Sequence, residues 1–149
     1  MIEHGALTDL LLTHLETESG QLVGDGIAHA EGGWADGQPN KGIFVPYMVA
    51  VSSGATVEIN DMAYAIDWRV NWSLRSFGGS RKQADWIATK SRNAVEGLLH
   101  STFGTDDPYK IIGVAWSALG PVTRIDTVNP PFWQTFDSFG FICSRVQLG

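Results

Sequence analysis

The chain has 149 residues, of which 44% are hydrophobic and 17% are charged, and its formal net charge is −6. This length fits a single domain, 1–149, and is sufficient to bury a core without disulfides or metal ions. The only cysteine, Cys143, excludes an intrachain disulfide and suits folding in a reducing cytoplasm. The apolar runs are too short to span a bilayer and the start of the chain lacks the features of a signal peptide, so we expect no membrane partner.

The charges are unevenly distributed along the chain. Residues 1–61 carry nine acids and one base, Lys41, for a net −8, whereas residues 62–149 carry nine bases and seven acids, for a net +2. Two such halves could steer head-to-tail self-association, or they could be ordinary solvated surface. The charged share is below the about 25% of typical soluble domains, and the chain has six Trp and seven Phe. Either an aromatic core or surfaces covered by other subunits explains this composition.

Apolar spacing predicts a first helix over residues 5–17, and Gly20 follows it as a stop signal. The apolar stripe of this helix consists of Leu7, Leu10, Leu11 and Leu15. A short strand over 21–23 follows. Residues 24–42 then contain six glycines, Pro39 and Trp34. Apolar residues in this segment recur with neither the helical period of about 3.6 residues nor the strand period of two. This pattern predicts a long loop that is functional or is ordered by a partner.

Three strands are predicted between this loop and the second helix. The run 43–51 is apolar on both faces, and Pro46 indicates an edge or a bulge because proline cannot donate to a ladder. A turn at 52–54 leads to a short strand over 55–59, and a further turn leads to the third strand. The third strand, 63–77, alternates large apolar residues at even positions with polar residues at odd positions, which gives it one wet side.

The third strand runs almost directly into a long helix. Ser80 and Gln83 form the capping-box pattern that begins a helix, and we predict its end near residue 103. Apolar residues recur at intervals of three and four, so one stripe is buried. The predicted stripe consists of Ala84, Ile87, Ala88, Ser91, Val95, Leu98 and Leu99. The third strand and this helix supply most of the predicted core.

Two further segments complete the predicted fold. Residues 109–118 are predicted as a strand buried on both faces, and 132–147 as either a strand pair or one long strand. Because short turns join most of the strands, we predict a mixed α+β fold with a largely antiparallel sheet of four to six strands. The N-terminal helix and the long helix pack on this sheet, and the Gly-rich loop is the remaining feature.

No pattern in the sequence predicts a catalytic or metal site. The run from His29 to Glu31 resembles the start of a zinc-deaminase signature, but the second half of that signature needs two cysteines. A nucleophile elbow is absent. The free N–H groups of the Gly78–Lys82 turn, with its two cations, could hold an anion, although a plain capped turn explains the same residues. We therefore predict that the chain is not an enzyme and uses no cofactor.

Exposed aromatic and cationic residues are the candidates for an interface. Trp86 lies about 200° around the predicted helix from Ala84, so it falls off the buried stripe and beside Lys82 and Lys90. Either a subunit interface or a covering segment of the same chain explains such a tryptophan. The predicted interface residues are Trp34, Lys41, Arg69, Arg75, Arg81, Lys82, Trp86 and Lys90.

Four stretches of the sequence carry a family resemblance. They are Gly24-Asp-Gly-Ile, Ala30-Glu-Gly-Gly-Trp34, Gly37-Gln-Pro-Asn-Lys-Gly42 with Phe44-Val-Pro-Tyr47, and Trp72-Ser-Leu-Arg-Ser-Phe-Gly-Gly-Ser-Arg-Lys-Gln83. These stretches, and the length and element order of the chain, resemble tail terminator proteins of long-tailed actinobacterial phages. They resemble the lambda-type minor tail protein U group more distantly.

The resemblance implies a structural virion protein. Proteins of this family form a ring, a homohexamer, that caps the tail tube of a siphovirus, ends its polymerisation and joins it to the head. The implied partners are further copies of the chain, the tail tube protein, the head–tail connector or stopper protein, and DNA that passes non-specifically through the lumen. The implied location is the head-proximal end of the virion tail, after assembly in the host cytoplasm. The eight interface residues are then expected to contact a neighbouring subunit or the tube.

Two alternative hypotheses remain at this stage. The chain could be another head–tail connector or stopper protein, or a small anion-binding or ligand-binding domain that uses the Gly78–Lys82 turn. Within the ring hypothesis, we expect the acidic half, 1–61, of one subunit to meet the basic region 69–92 of the next. We also expect the loop 24–42 to reach the tube or a neighbouring subunit.

Overall fold

The computed structural model describes residues 2–34, 43–59, 66–127 and 130–146. The helices in these ranges are α1 (His4–Ser19) and α2 (Arg81–Glu96). The strands are β1 (Leu22–Asp25), β2 (Gly33–Trp34), β3 (Phe44–Val45), β4 (Tyr47–Ile59), β5 (Ile66–Gly78), β6 (Thr102–Phe103), β7 (Tyr109–Leu119), β8 (Thr123–Ile125) and β9 (Phe132–Arg145).

The main sheet has seven strands in the described ranges. Its order is β1-β4-β5-β9-β7-β6, and the short β8 pairs with β9. Every pairing is antiparallel except that of β1 with β4, which is parallel. A parallel pair requires a crossover, and the chain between residues 26 and 46 provides it. The strands β2 and β3 form a separate antiparallel pair. The predicted mixed α+β fold with a largely antiparallel sheet is therefore confirmed.

Helix α1 forms for the reasons that its sequence indicates. Leu7, Leu11 and Leu15 are fully buried and recur every four residues, so they form one stripe against the core. The helix ends at Gly20, which has a φ of 67° and donates its N–H to the carbonyl of Glu16 at 2.9 Å. Glycine adopts this left-handed conformation without a steric cost, which explains the stop.

The side chains of β5 alternate between the two faces of the sheet, and the two faces differ. Its even positions, Val70, Trp72 and Leu74, are buried in one cluster with apolar residues of both helices. We call this side the helix-covered face. We call the opposite side, which presents the β5 residues Arg69–Arg75 at odd positions, the open face. No helix of the described residues packs on the open face, which confirms the predicted wet side for this part of β5.

Residues 132–145 form one long strand, β9, rather than a strand pair. It lies between β5 and β7 near the middle of the sheet. Phe139, Phe141 and Cys143 alternate on its helix-covered face and are fully buried. The closing segment of the sequence is thus as central to the core as β5.

Two predicted boundaries and one predicted burial pattern are wrong. The residues 52–54 do not form a turn, because β4 continues through them as one strand of 13 residues. The register shifts between Ser52 and Gly54, and Gly54 has a φ of 95°. Small polar residues with a glycine are typical of both turns and β-bulges, and here the pairing with β5 decides for the bulge.

Helix α2 ends earlier than predicted. Its last residue is Glu96, and 97–100 form turns in which His100 has a φ of 74°. The N–H of His100 donates to the carbonyl of Ile111 at 2.8 Å, so pairing with β7 redirects the chain. Leu98 is buried as predicted, but Leu99 is exposed; both lie in the turns beyond the helix, where the helical period no longer determines burial.

Strand β7 is not buried on both faces as predicted. Only Tyr109 and Ile111 are buried, and the residues from Ser117 to Leu119 are exposed. The far half of β7 pairs with β9 on one side only, since β6 is two residues long. Long apolar runs therefore do not distinguish a central strand from the edge strand that occurs here.

A second apolar cluster lies on the open face at the end of β5 near Gly78. We call it the aromatic cluster; its buried members are Phe44, Tyr47, Val49 and Phe77, and Leu22, Trp34 and Phe132 pack against it. The rings of Tyr47 and Phe77 stack with their centroids 4.6 Å apart. Burial raises the pKa of Tyr47. One end of the open face is therefore closed by aromatic packing that the period-two pattern did not predict.

Candidate interaction surfaces

The structure places the predicted interface residues in three separate regions. Four lie on α2, two lie on the open face and one lies in the aromatic cluster, while Lys41 is outside the described residues. Helix α2 packs on the helix-covered face, so the sheet separates its cations from Arg69 and Arg75. The chain therefore presents two cationic surfaces on opposite sides of one sheet rather than a single basic patch.

The first surface is the outer side of α2. Trp86 is 43% exposed, and the Nζ atom of Lys90 lies 5.3 Å from its ring centroid. Lys90 follows Trp86 by one helical turn, so this cation–π contact is local. Arg81 and Lys82 are exposed in the first turn of the same helix. Trp86 therefore lies off the buried stripe of α2 and beside cations, as the helical period predicted.

A cleft of about 530 Å³ adjoins the first turns of α2. Its lining residues are Arg81, Lys82, Asp85, Arg92, Gly120, Pro121, Val122 and Thr135. Asp85 and Arg92 give the cleft charges of both signs. The side of α2 that faces this cleft is thus electrostatically mixed.

Arg92, which lines that cleft, forms an ion pair with a buried carboxylate. Its Nε and Nη2 atoms each donate to the carboxylate of Asp137 at 2.9 Å, and Asp137 is fully buried. The N–H of Gly120 donates to the same carboxylate at 2.9 Å. The hydrogen bond with Asp137 raises the pKa of the Arg92 guanidinium. This network joins α2, β9 and the link after β7, so it is a structural element of the core.

The Gly78–Lys82 turn has a packing explanation. The hydroxyl of Ser80 accepts the N–H of Gln83 at 3.1 Å, and Gln83 Oε1 accepts the N–H of Gly79 at 2.8 Å. A Cβ atom on Gly78 would lie 2.4 Å from the nitrogen of Ala84, and one on Gly79 would lie 2.5 Å from Cβ of Phe44. The two glycines therefore allow α2 and Phe44 to approach the chain closely, and a ligand is not needed to account for them.

The second surface is the open face, where Arg69 and Arg75 are held differently. Arg69 lies across the sheet: its Nε donates to Asn71 Oδ1 at 2.9 Å and its Nη2 to Ser117 Oγ at 3.2 Å. A Cβ atom on Gly140 would lie 2.7 Å from Arg69 Nε, so the glycine of β9 makes room for this side chain. Arg69 is thus fixed in place by three strands.

Arg75 is exposed and stacks on an aromatic ring. Its Cζ atom lies 5.0 Å from the ring centroid of Phe136, and Phe136 is 40% exposed. Sequence analysis did not select Phe136, although its alternation with the buried Phe139 in β9 was available as a signal. The strand register, which pairs Arg75 with Phe136, is what brings the two together.

Trp34 belongs to the aromatic cluster rather than to a free surface. Its ring packs edge-on against Phe44 at 5.2 Å, and its Nε1 donates to the carbonyl of Pro131 at 3.0 Å. These contacts fix the first part of the Gly-rich segment 24–42 to the sheet. Residues 35–42 of that segment lie outside the described residues.

The described residues offer no group of three or more His, Cys, Asp or Glu side chains placed to hold a metal ion. Neither helix in the described ranges has the length and apolarity needed to cross a membrane. Burial raises the pKa of Cys143 to about 12, so this thiol is protonated at neutral pH.

Comparison with known proteins finds similarity in structure but not in sequence. No protein-family model matches the chain, and no curated protein matches it. Among solved structures, 21 chains match its fold. One of these is a chain from the virion of a native gene transfer agent particle, with a TM-score of 0.56 and 10% sequence identity. The match covers 94% of this chain and 96% of that one. At this identity the likeness shows a shared fold.

Proposed function

We propose that this chain is a structural subunit of a phage-like virion. The carrying observation is the fold shared with a chain of a gene transfer agent virion over nearly the full length of both. Because the match leaves few residues unmatched on either side, the two chains are built on one plan rather than sharing a small common motif. The chain acts through its surfaces, and we propose no enzymatic activity and no cofactor for it.

Within this class, we propose the role of tail terminator. In this role a ring of identical subunits, a hexamer, caps the tail tube, ends its growth and joins the tail to the head connector, while DNA passes through the lumen. The support is the resemblance of four stretches, among them Trp72–Gln83, to terminators of long-tailed phages. Fold alone does not specify function, so the sequence resemblance supplies the finer part of the proposal.

The surfaces of the subunit are compatible with a ring. A ring needs a heterologous contact, in which two different surfaces of the same chain meet. The cations of α2 and those of the open face lie on opposite sides of the sheet, and the acids concentrate in residues 1–61. Oppositely charged surfaces at different positions on one subunit favour head-to-tail contacts.

The direct test is to add the purified chain to the polymerising tail tube protein of the same virus. A terminator shortens the tubes as its molar ratio to tube subunits rises, and electron microscopy shows a ring at one tube end. A matched control uses the heat-unfolded chain at the same ratios. Tubes of unchanged length with bare ends would contradict the terminator role. Binding to the isolated connector, with no effect on tube length, would favour a connector or stopper instead.

A further inference from the structure

The centre of the open face is a cation for which the described residues supply no anionic partner. Arg75 is exposed, stacks on Phe136 and makes no ion pair with any described residue. Between Arg69 and Phe136 the described residues of the open face include no carboxylate; Asp67 lies two residues before Arg69 on β5, at the far end. A guanidinium held over an exposed ring is already ordered, so binding an anion costs it little conformational entropy.

Apolar side chains surround this cation. Val51 is 38% exposed beside it on β4, and Ile27 is 76% exposed above it. Together with Val49, Arg75 and Phe77 they line a groove of about 260 Å³. Exposed apolar groups around an arginine and an aromatic ring have the composition of binding hot spots. The groove therefore favours a partner that brings both an apolar group and a carboxylate.

The outer side of α1 brings such a combination. Asp9 and Glu16 are exposed and lie two helical turns apart, opposite the buried leucine stripe. Leu12 borders this acidic side: it packs in part against the core cluster and is only partly exposed. Residues 2–34 contain six acids and no lysine or arginine. Neither Asp9 nor Glu16 makes an ion pair with a described residue.

These two surfaces cannot meet within one chain, because α1 packs on the helix-covered face and the sheet lies between them. We infer that the open face, centred on Arg75 and Phe136, binds the outer side of α1 from a second copy of this chain. The contact is heterologous, since each copy uses a different surface. This inference deepens the proposed function, because it assigns the subunit contact of the ring to the open face.

The rival surfaces fit less well. The outer side of α2 intersperses its cations with Asp85 and Glu96, so it has no uniform charge for an acidic helix. Duplex DNA is a second possible occupant of a cationic face, but the net charge of −6 and the apolar surroundings of Arg75 disfavour it. The experiment described next distinguishes the proposed contact from a contact through α2 and from DNA binding.

Sedimentation velocity over a range of concentrations at low salt measures the contact. The wild-type chain is expected to self-associate, and Arg75→Glu is expected to weaken the association constant about tenfold or more. Glu16→Lys is expected to weaken it in the same direction. The double variant R75E/E16K, in which both surfaces are reversed in every copy, is expected to recover most of the lost affinity.

The matched control is R81E/K82E, which adds negative charge to α2 and leaves the open face intact. It is expected to associate like the wild-type chain. Far-UV circular dichroism and the urea midpoint of each variant confirm that it is folded, and Arg75→Gln is a milder replacement should R75E unfold. Fluorescence anisotropy with a short duplex DNA reports nucleic-acid binding of the same proteins.

Several outcomes overturn the inference. They are a wild-type chain that stays monomeric at every concentration, unchanged association of R75E, and loss of association in R81E/K82E alone. Unchanged association of R75E together with lost DNA binding would assign the open face to nucleic acid instead. Recovered association of R75E/E16K without any effect on tail tubes would leave the contact in place and contradict only the terminator role.

Discussion

The two faces of the main sheet are built from the same strands but are completed in different ways. On the helix-covered face, Trp72 and Phe139 are buried beneath α1 and α2, and the apolar cluster is continuous. On the open face, the aromatic cluster covers only the end near Gly78, and Arg75 with Phe136 faces solvent beyond it. The difference teaches that one face is covered within the chain, whereas described residues of the other, such as Val51 and Phe136, leave apolar surface exposed.

Strand β9 offers the sharpest comparison of the two faces, because Phe139 and Phe136 point in opposite directions from it. Phe139 is 1% exposed, and its truncation to alanine is expected to cost about 3–5 kcal/mol of unfolding free energy. Phe136 is 40% exposed and stacks on Arg75, so Phe136→Ala loses less buried apolar surface, and a smaller cost of about 1–2 kcal/mol is expected. Urea unfolding of both variants measures this difference. Equal losses would show that the open face is already closed in the isolated chain.

The buried carboxylate of the helix-covered face offers a second comparison, with an ion pair that is exposed to solvent. Asp137→Ala leaves the partly buried Arg92 guanidinium without its carboxylate partner, and a loss of about 2–3 kcal/mol in unfolding free energy is expected. The matched control is Asp126→Ala, which removes the partner of Arg124 in an exposed pair and is expected to cost less than about 1 kcal/mol. Chemical denaturation at neutral pH measures both, and a reversed order would contradict the assignment of Asp137 to the core.

The sign of the pH dependence of the Arg92 pair follows from its raised pKa. A base whose pKa is higher in the folded state contributes its full stability below the unfolded pKa. That contribution is lost only as the pH rises through the folded pKa. The Arg92 side of the interaction is therefore expected to be constant across the neutral range.

Cys143 gives the smallest effect at neutral pH. Its pKa is raised to about 12 by burial on the helix-covered face, so the folded thiol is expected to resist alkylation by iodoacetamide at pH 8. Its contribution to stability is present below the unfolded pKa of 9.0 and declines as the pH rises from there towards 12. Mass spectrometry, with the chain in concentrated guanidinium chloride as the reactive control, checks the first part. Rapid alkylation of the folded chain would indicate that this face opens readily.

The structural elements that depend on local periodicity could be predicted from the sequence. The leucine stripe of α1, the cap at Ser80 and the alternation of β5 each follow from contacts within a few residues along the chain. The prediction failed where a distant strand decides the outcome, as at the Ser52–Gly54 bulge and at His100. Local composition there is compatible with several backbone paths, and pairing with another strand selects one of them.

The candidate surfaces, too, were predictable from the sequence only where local geometry decides. The sequence by itself determined which residues are cationic, that Trp86 lies off the buried stripe of α2, and that residues 2–34 carry only acidic charge. Only the tertiary structure decided that the cations of α2 and of β5 lie on opposite sides of the sheet, and that Arg75 stacks on Phe136, 61 positions along the chain. The physical reason is that a side chain's face within its own strand is set by local geometry, whereas its neighbours across the sheet are set by register.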